Sequence, residues 1–503
     1  MKKRALVSVS DKTNIVEFCS ELIKYDYEII ATGNTKKLLD NNGLKTISVE
    51  DVTGFPEILD GRVKTLHPKI HGALLALRNK ESHQLALKDN SITPIDMVVV
   101  NLYPFSETVK NPDCSLEEAI ENIDIGGPSM LRSAAKNYQD VCVVSDILDY
   151  DTIINELKNS NSISIDTKKQ LALKVFKTTA AYDNSIYNYL NDSKSLEFEY
   201  KEVETLRYGE NPHQSAKFFK EENDFAYSLA NAKQLHGKQL SYNNIIDASA
   251  CLEMLKEFKD EIAVVGVKHT NPTSIATATT TTSAYQKMFE ADPISIFGGI
   301  IAFNAEVQAK EAEMMSKVFL EIIMAPSFSK EALEILSRKK NIRLLEIKLN
   351  GIEAKNKFVS LNGGLLMQEI DTTNASDFKV VTNKKPSDQE LEDFKFGEKV
   401  CKHVKSNAII LVKDSCVIGV GAGQMNRIGA AKIALEQAKD KAKGAVMISD
   451  AFFPFDDTVS LASNYGVSAV LQPGGSIKDQ DSIDMCNEKG MSMVFTGLRH
   501  FKH

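Results

Sequence analysis

Ala263-Val264-Val265-Gly266-Val267-Lys268-His269-Thr270-Asn271-Pro272 is the stretch on which the reading of this chain turns. Its apolar run is rich in β-branched residues and reads as a buried strand. The run ends on two adjacent titratable groups, Lys268 and His269, and Asn271-Pro272 is expected to break it into a turn. Lys268 is a fixed cation and donor. His269 belongs to the one side-chain type whose ordinary pKa lies near neutrality. A neighbouring cation favours the neutral imidazole, the form that accepts a proton. Taken alone, the pair reads more simply as a strand end meeting solvent. The rest of the chain decides between the two.

That strand sits in a chain of ordinary globular composition. It has 503 residues, 43% of them hydrophobic and 25% charged, a length that suggests roughly two to four domains. No run approaches ~18 uninterrupted apolar residues, so no membrane span is expected. The start, Met1-Lys2-Lys3-Arg4, is basic, but the apolar run after it is too short for a signal peptide, and a cytoplasmic location is expected. Seven cysteines are dispersed with no Cys-x-x-Cys, which argues against a disulfide framework or a thiolate zinc site. The net charge of −8 argues against a nucleic-acid binder, so phosphate-bearing partners are small and held by local Lys and Arg clusters.

Upstream, residues 4–10 read as a strand, and a helix with Ile15, Phe18, Cys19 and Leu22 on its apolar face follows. A second strand, Glu28 to Ala31, runs into Thr32-Gly33-Asn34-Thr35, with a helix beginning near Lys36. A hydroxyl-rich turn at a helix N-terminus suits a phosphate. Arg62 and Lys64 lie on one face if their segment is extended. His67 and His71 invite a zinc site, but no Glu stands in the metalloprotease position and no third ligand is evident. Strand-like Met97 to Val100 ends at Asn101-Leu102-Tyr103. Asp124-Ile125-Gly126-Gly127-Pro128 opens a further helix, with Pro128 at a first helical position, and that helix carries Lys136. Val141 to Val144 closes a series of alternating strands and helices, the mark of an α/β domain with a largely parallel sheet. Ligands gather at the carboxyl ends of such strands, where Lys12, the 32–35 turn, Lys64, Tyr103 and Asp124 fall.

Residues 150–190 read as helical, and the polar Asn191–Ser195 segment reads as a domain boundary. Beyond it, Leu206 to Gln214 is a polar loop, and Ala276 to Thr282 reads as a Thr/Ala loop or small-residue packing surface. Residues 306–340 read as amphipathic helices interrupted at Ala325-Pro326. Gly421-Ala422-Gly423 between strand-like and helix-like segments invites a dinucleotide site, but Asn426 occupies the sixth fingerprint position and no strand-end acid follows at the expected distance.

Nine segments in this order carry a resemblance. They are Ser8-Val9-Ser10-Asp11-Lys12-Thr13, Arg62-Val63-Lys64-Thr65-Leu66-His67-Pro68, Asn101-Leu102-Tyr103-Pro104-Phe105, Ile123 to Ser129, Leu206-Arg207-Tyr208-Gly209, Lys268-His269, Gly421 to Met425, Ser449 to Phe455, and Arg499 to His503. Over close to its full length the chain resembles the bifunctional purine biosynthesis family that combines AICAR transformylase with IMP cyclohydrolase. The resemblance implies an α/β fold in two parts. A methylglyoxal-synthase-like parallel-sheet domain over 1–195 would close formyl-AICAR to IMP. A cytidine-deaminase-like transformylase region of repeated units over 196–503 would transfer a formyl group from 10-formyltetrahydrofolate to AICAR. The deaminase zinc signature is absent, in keeping with a transformylase that requires no metal. A homodimer through the second part is implied, with no nucleic-acid or membrane partner.

The same resemblance assigns Lys268, His269 and Asn407 to formyl transfer, and Lys64, Tyr103, Asp124 and Lys136 to ring closure. Ser10, Lys12, Thr32, Gly33, Asn34, Thr35, Arg62 and Thr65 would cradle a phosphate, and N–H groups of Gly126 and Gly127 an oxyanion. Arg207, Tyr208, Arg427 and Arg499 would hold AICAR, with Phe297, Phe452 and Phe453 flanking flat rings. Two departures stand out: Asn34 where a second Gly is usual, and Thr273-Ser274 in place of a small residue plus Gly. Two other readings remain at this point. One is an NAD-linked oxidoreductase using the Gly421–Gly423 turn, and the other a non-catalytic phosphate-sensing binding protein.

Overall fold

Runs such as Met97–Val100, Ile300–Phe303 and Ile409–Val412 are short and apolar along their whole length, so their sheets must be covered on both faces. The computed structural model describes residues 2–191, 195–196 and 198–503. The chain divides into two units, Met1–Glu197 and Phe198–His503. Of the polar segment read as a boundary, residues 192–194 lie outside the described residues.

In the first unit β1 (Lys3–Val9), β2 (Tyr27–Ala31), β3 (Thr46–Ser48), β4 (Met97–Asn101) and β5 (Cys142–Val144) form one parallel sheet of order β3-β2-β1-β4-β5. The chain leaves β1 toward β2 on one side and later returns to β4 on the other. The carboxyl end of β1 is therefore a switch point where loops diverge and a crevice opens. Helices begin there at Gly33, three residues earlier than expected, and at Gly126 rather than Pro128.

The second unit starts with a ribbon, β6 (Lys201–Leu206) and β7 (Ala216–Lys220). Then come β8 (Lys233–His236), β9 (Ile262–Lys268), β10 (Asn271–Ala278), β11 (Ile300–Phe303), β12 (Ile322–Ala325) and β13 (Arg343–Glu346). A hairpin, β14 (Asn356–Leu361) and β15 (Gly364–Glu369), separates these from β16 (Lys379–Val380), β17 (Ile409–Val412), β18 (Val417–Gly421), β19 (Val446–Ser449), β20 (Ala469–Gln472) and β21 (Ser492–Phe495). The sheets are β10-β9-β11-β12-β13-β8 and β18-β17-β19-β20-β21-β16. Each pairs antiparallel, antiparallel, parallel, parallel, antiparallel along that order. The expected repeated units are thus present as one architecture built twice. Their edge strands meet: Ala276 bridges Cys416, the Ser274 hydroxyl donates to Val417 O at 2.7 Å, and Thr277 N–H to Ser415 O at 3.1 Å. Alternate β9 residues enter two different cores, Val264 one and Ala263, Val265 and Val267 the other, and each core draws on both repeats.

Two expectations are corrected. Asn271-Pro272 does not end the sheet, because the turn is His269-Thr270 and the Thr/Ala run through Ala278 is strand β10. Ile322–Ala325 is buried strand β12 rather than helix; four continuous apolar residues carry no period to separate the two. The Gly421 turn lies on β18, an edge strand antiparallel to β17, so it lacks the parallel strand–helix–strand setting of a dinucleotide site. Its glycine serves packing instead, since a Cβ at Gly421 would stand 1.9 Å from Ala430 O in the helix Arg427–Ala438. Gly421→Ala is expected to cost about 1–3 kcal/mol of stability through overpacking. A thermal unfolding midpoint equal to wild type would refute that account.

Candidate functional site

In the first unit the loops at the carboxyl ends of β1, β2 and β4 enclose a cavity of about 520 Å³. Asn101, the last residue of β4, shapes one wall. Its Oδ1 accepts from the N–H groups of Ser10 (2.6 Å) and Asp11 (2.9 Å), and its Nδ2 donates to Asp11 O at 2.9 Å. The loop so held carries Lys12. Thr35 locks the opposite wall to the end of β1 through Val9 N–H (3.3 Å) and Val9 O (3.2 Å). Thr32 stands at the N-cap of the helix Gly33–Asn41, yet its hydroxyl donates to Ser8 Oγ at 2.7 Å and caps nothing. The first N–H groups of that helix face the cavity without a side-chain partner, an arrangement that favours an anion. Gly33 takes the left-handed φ of 36°; Asn34 does not, so the departure at Asn34 demands no left-handed asparagine.

Ser10, Lys12, Thr32, Gly33, Asn34, Thr35, Arg62, Lys64, Thr65, Tyr103, Asp124, Gly126 and Gly127 all line this cavity. Arg62 and Lys64 reach it from a tight turn, not an extended segment: Ile58 bridges Val63 around the one-turn helix Leu59–Gly61, and Arg62 itself is helical in φ and ψ. Both cations have carboxylate partners, Lys64 with Glu57 at 2.9 Å and Arg62 with Glu121.

Asp124 precedes the helix Gly126–Lys136. Its N–H donates to the Tyr182 hydroxyl at 2.7 Å, and its Oδ1 accepts from Gly127 N–H at 2.8 Å. Burial raises its pKa above the usual carboxylate value, opposed by hydrogen bonds from the backbone of Gly127 and Tyr103. Because Gly127 N–H is engaged by Asp124, the expectation that both glycines serve an oxyanion is corrected for Gly127. Both are nevertheless needed: a Cβ would lie 2.9 Å from Thr65 Oγ1 at Gly126 and 2.4 Å from Asp124 Oδ2 at Gly127. Lys136 is also corrected. It is exposed at the far end of its helix, about 15 Å along the axis from Gly126 at 1.5 Å per residue, and outside the cavity wall. Asn101, Glu57 and Glu121 were missed; the first had a signal in its place at a strand end. His67 caps the helix Pro68–Leu75, accepting from Lys69 N–H, and His71 bonds Ser133 at 3.0 Å. Among the described residues no group of three or more His, Cys, Asp or Glu side chains is placed to hold a metal ion.

In the second unit Lys268 ends β9 and its Nζ donates to Phe297 O at 2.7 Å. His269 follows, exposed, with φ 52°, and Thr270 has φ 64°. Left-handed backbone costs a residue with a Cβ roughly 1–2 kcal/mol. Asn271 then joins the two repeats, its Oδ1 accepting from Lys405 N–H at 3.2 Å. This brings the Lys268-His269 turn to the loop that carries Asn407. Arg427 is 6% exposed and turned inward: it pairs with Asp450 and donates to Asn407 Oδ1 at 3.0 Å. Asn407 Nδ2 in turn donates to Gln424 O at 2.8 Å. The chain end wraps the same loop, with Ser406 N–H donating to Lys502 O at 2.8 Å and Lys502 N–H to Ser406 Oγ at 3.1 Å. Arg499 is exposed there over the Phe501 ring. Arg207 and Tyr208 stack at 5.6 Å on the β6–β7 loop. The phenylalanines divide: Phe297 (59%) and Phe452 (41%) are exposed, whereas Phe453 is wholly buried in the core and offers no ring face to a ligand. Ser274, one of the two departures, is spent on Val417 O; the Thr273 hydroxyl is buried without a partner.

A family profile described as the AICARFT/IMPCHase bienzyme matches residues 134–437, and one described as the MGS-like domain matches residues 14–129. The bifunctional purine biosynthesis protein PurH of Bacillus cereus (strain G9842) is 55% identical over 512 aligned residues, which cover 100% of both chains. The PurH proteins of Bacillus anthracis and of Bacillus thuringiensis (strain Al Hakam) match with the same identity and coverage. A solved structure, the crystal structure of ForH, is 34% identical over 37% of this chain and 94% of its own, with a TM-score of 0.34.

Asp124 also makes a stability prediction. Its raised pKa means that the folded chain holds this proton more tightly than the unfolded one, so the protonated form favours folding. That contribution is full below the ordinary carboxylate range and is lost as pH rises through the raised pKa. Asp124→Asn is therefore expected to unfold at higher denaturant than wild type at neutral pH, with the difference closing near pH 3. Equal midpoints at both pH values would contradict it.

Proposed function

The chain belongs to the AICARFT/IMPCHase bienzyme family and is a bifunctional purine biosynthesis enzyme, both a formyltransferase and an IMP cyclohydrolase, and from that premise we propose that its two units divide the two reactions. Ring closure belongs to the first unit and formyl transfer to the second. The observation that carries this reading is the convergence of the first-unit candidates, all but Lys136, on one cavity.

In ring closure the carboxamide nitrogen of formyl-AICAR attacks the formyl carbon of the same molecule, and water leaves. Holding the two groups together supplies most of the acceleration. Lys12, Arg62 and the uncapped helix start at Gly33 hold the substrate phosphate. Lys64 and Tyr103 polarise the formyl oxygen. Asp124, whose pKa is raised by burial, is suited to carrying the amide proton.

In formyl transfer the AICAR amine is a poor nucleophile, conjugated with its ring and carboxamide. His269 takes the amine proton as nitrogen bonds to the formyl carbon of 10-formyltetrahydrofolate. Lys268 stabilises the tetrahedral oxyanion and aids protonation of the folate nitrogen as the C–N bond breaks. Asn407 orients the formyl group, and Arg427 acts through it as a positioning residue. Arg207, Tyr208 and Arg499 hold AICAR, with Phe297 and Phe452 beside the flat rings. Phe297 is exposed and its backbone carbonyl accepts from Lys268 Nζ, which supports this placement.

The enzyme works as a homodimer through its second unit. Supporting this, one face of the β14–β15 hairpin carries exposed Val359, Leu361 and Leu366, with Val359 and Leu366 directly opposite each other. Under this reading the enzyme is cytoplasmic. No helix of the described residues is long and apolar enough to cross a membrane.

Lys268→Ala is expected to reduce formyl transfer at least about 10²-fold and to leave closure of supplied formyl-AICAR intact. Lys64→Ala should do the reverse. The assay supplies AICAR with 10-formyltetrahydrofolate in one arm and formyl-AICAR in the other; a folded variant that loses both reactions would overturn the division. Sedimentation across concentration should show a dimer that Leu366→Asp weakens, and a monomer at all concentrations would refute the interface.

A further inference from the structure

We propose that Asp247 is a positioning residue for formyl transfer, its carboxylate fixing the left-handed turn that presents Lys268 and His269. The inference rests on the reading of that pair given above. Thr270 N–H donates to Asp247 Oδ1 at 2.8 Å. His269 and Thr270 are the two central residues of a hairpin in which Asn271 pairs with Lys268. Both have positive φ, 52° and 64°. Asn-Gly or Asp-Gly adopts that geometry readily; a histidine followed by a β-branched threonine does not. Backbone of this kind persists only where its surroundings over-determine it.

Asp247 is well placed to do so. It lies on the helix Tyr242–Leu255, whose Ala248, Cys251, Leu252 and Leu255 are buried in the core with Ala263, Val265 and Val267 of β9. The start of that helix is fixed by Ser241 in a capping box with Asn244. The backbone that carries the carboxylate is therefore anchored to the strand beneath the turn.

The second repeat contains the same device. Ser387 caps the helix Asp388–Cys401 in a box with Glu390. Asp393 follows Ser387 by six residues (387 to 393), as Asp247 follows Ser241 (241 to 247). Its two carboxylate oxygens accept from Asp414 N–H at 3.1 Å and Ser415 N–H at 2.7 Å. Those two residues are the left-handed pair, φ 52° and 53°, of the β17–β18 turn. An aspartate on the preceding helix thus pins the hairpin tip in both repeats. Only the first tip carries a Lys-His pair, so Asp393 is a built-in control for purely structural effects.

The test uses the full chain, with ring closure of supplied formyl-AICAR as a check on folding. In Asp247→Ala, kcat for formyl transfer is expected to fall about 10–100-fold, the scale of a small misplacement of reacting groups, while the KM for AICAR stays within about threefold. Asp247→Asn keeps an oxygen to accept the Thr270 bond and should recover most of the rate. Thr270→Gly in the Asp247→Ala background should also recover it, because glycine needs no help to adopt the turn. Asp393→Ala should lower the unfolding midpoint and leave kcat within about threefold of wild type. Wild-type kcat in Asp247→Ala, failure of both rescues, or an equal selective loss in Asp393→Ala would each overturn the proposal. Wild-type transfer by Lys268→Ala is a separate outcome, which removes the reading beneath it.

Discussion

The edge-to-edge meeting of β10 and β18 is the constraint on which the second unit depends. Edge strands expose unpaired backbone groups and ordinarily need protection. Here each repeat covers the edge of the other, through the Ala276–Cys416 bridge and the Ser274 bond to Val417. Because the two strands run antiparallel, the tip of the first repeat's hairpin lies beside the loop that leads into β17. Asn271 and Lys405 bond there. The turn that carries Lys268 and His269 thereby meets the loop that carries Asn407, well over a hundred residues later in the chain.

The first unit solves a different problem. Under the proposed function its cavity must attract a phosphate and also retain carboxylate chemistry at Asp124. Lys64 and Arg62 are not bare cations, since Glu57 and Glu121 accompany them. A phosphate arriving under the proposed function exchanges one anionic partner for another and does not meet an uncompensated charge. Those surface pairs are weak, so the exchange is easy. The helix start at Gly33, which its N-cap side chain leaves uncapped, supplies further attraction.

Much of this was legible in the sequence where a signal is local. The β9 run, the parallel strands of the first unit and the hydroxyl-rich turn at Thr32 declare themselves through period and residue type. Strand β10 was hidden because Pro272 and the Thr/Ala run mimic a loop, and β12 because four apolar residues have no period. The residues that share the first-unit cavity were readable because a parallel sheet sends its loops to one end. Lys136 and Phe453 fall outside the candidate sites because a motif gives order along the chain but neither how far a helix carries a residue from the cavity nor which side of a turn is buried. Glu57, Glu121 and Asp247 act across 7, 59 and 23 residues of chain on Lys64, Arg62 and Thr270, and no local pattern announces such partners.

The doubling of the second unit has a consequence for how the chain tolerates change. Two hairpin tips share one scaffold, yet under the proposed function one must satisfy both architecture and reactivity while its twin answers to architecture alone. Drift, insertions and grafted peptides should therefore accumulate around Asp414 and Ser415 long before they are accepted at His269 and Thr270. The duplicate is spare ground, where new recognition can be tried without interrupting the reaction next door.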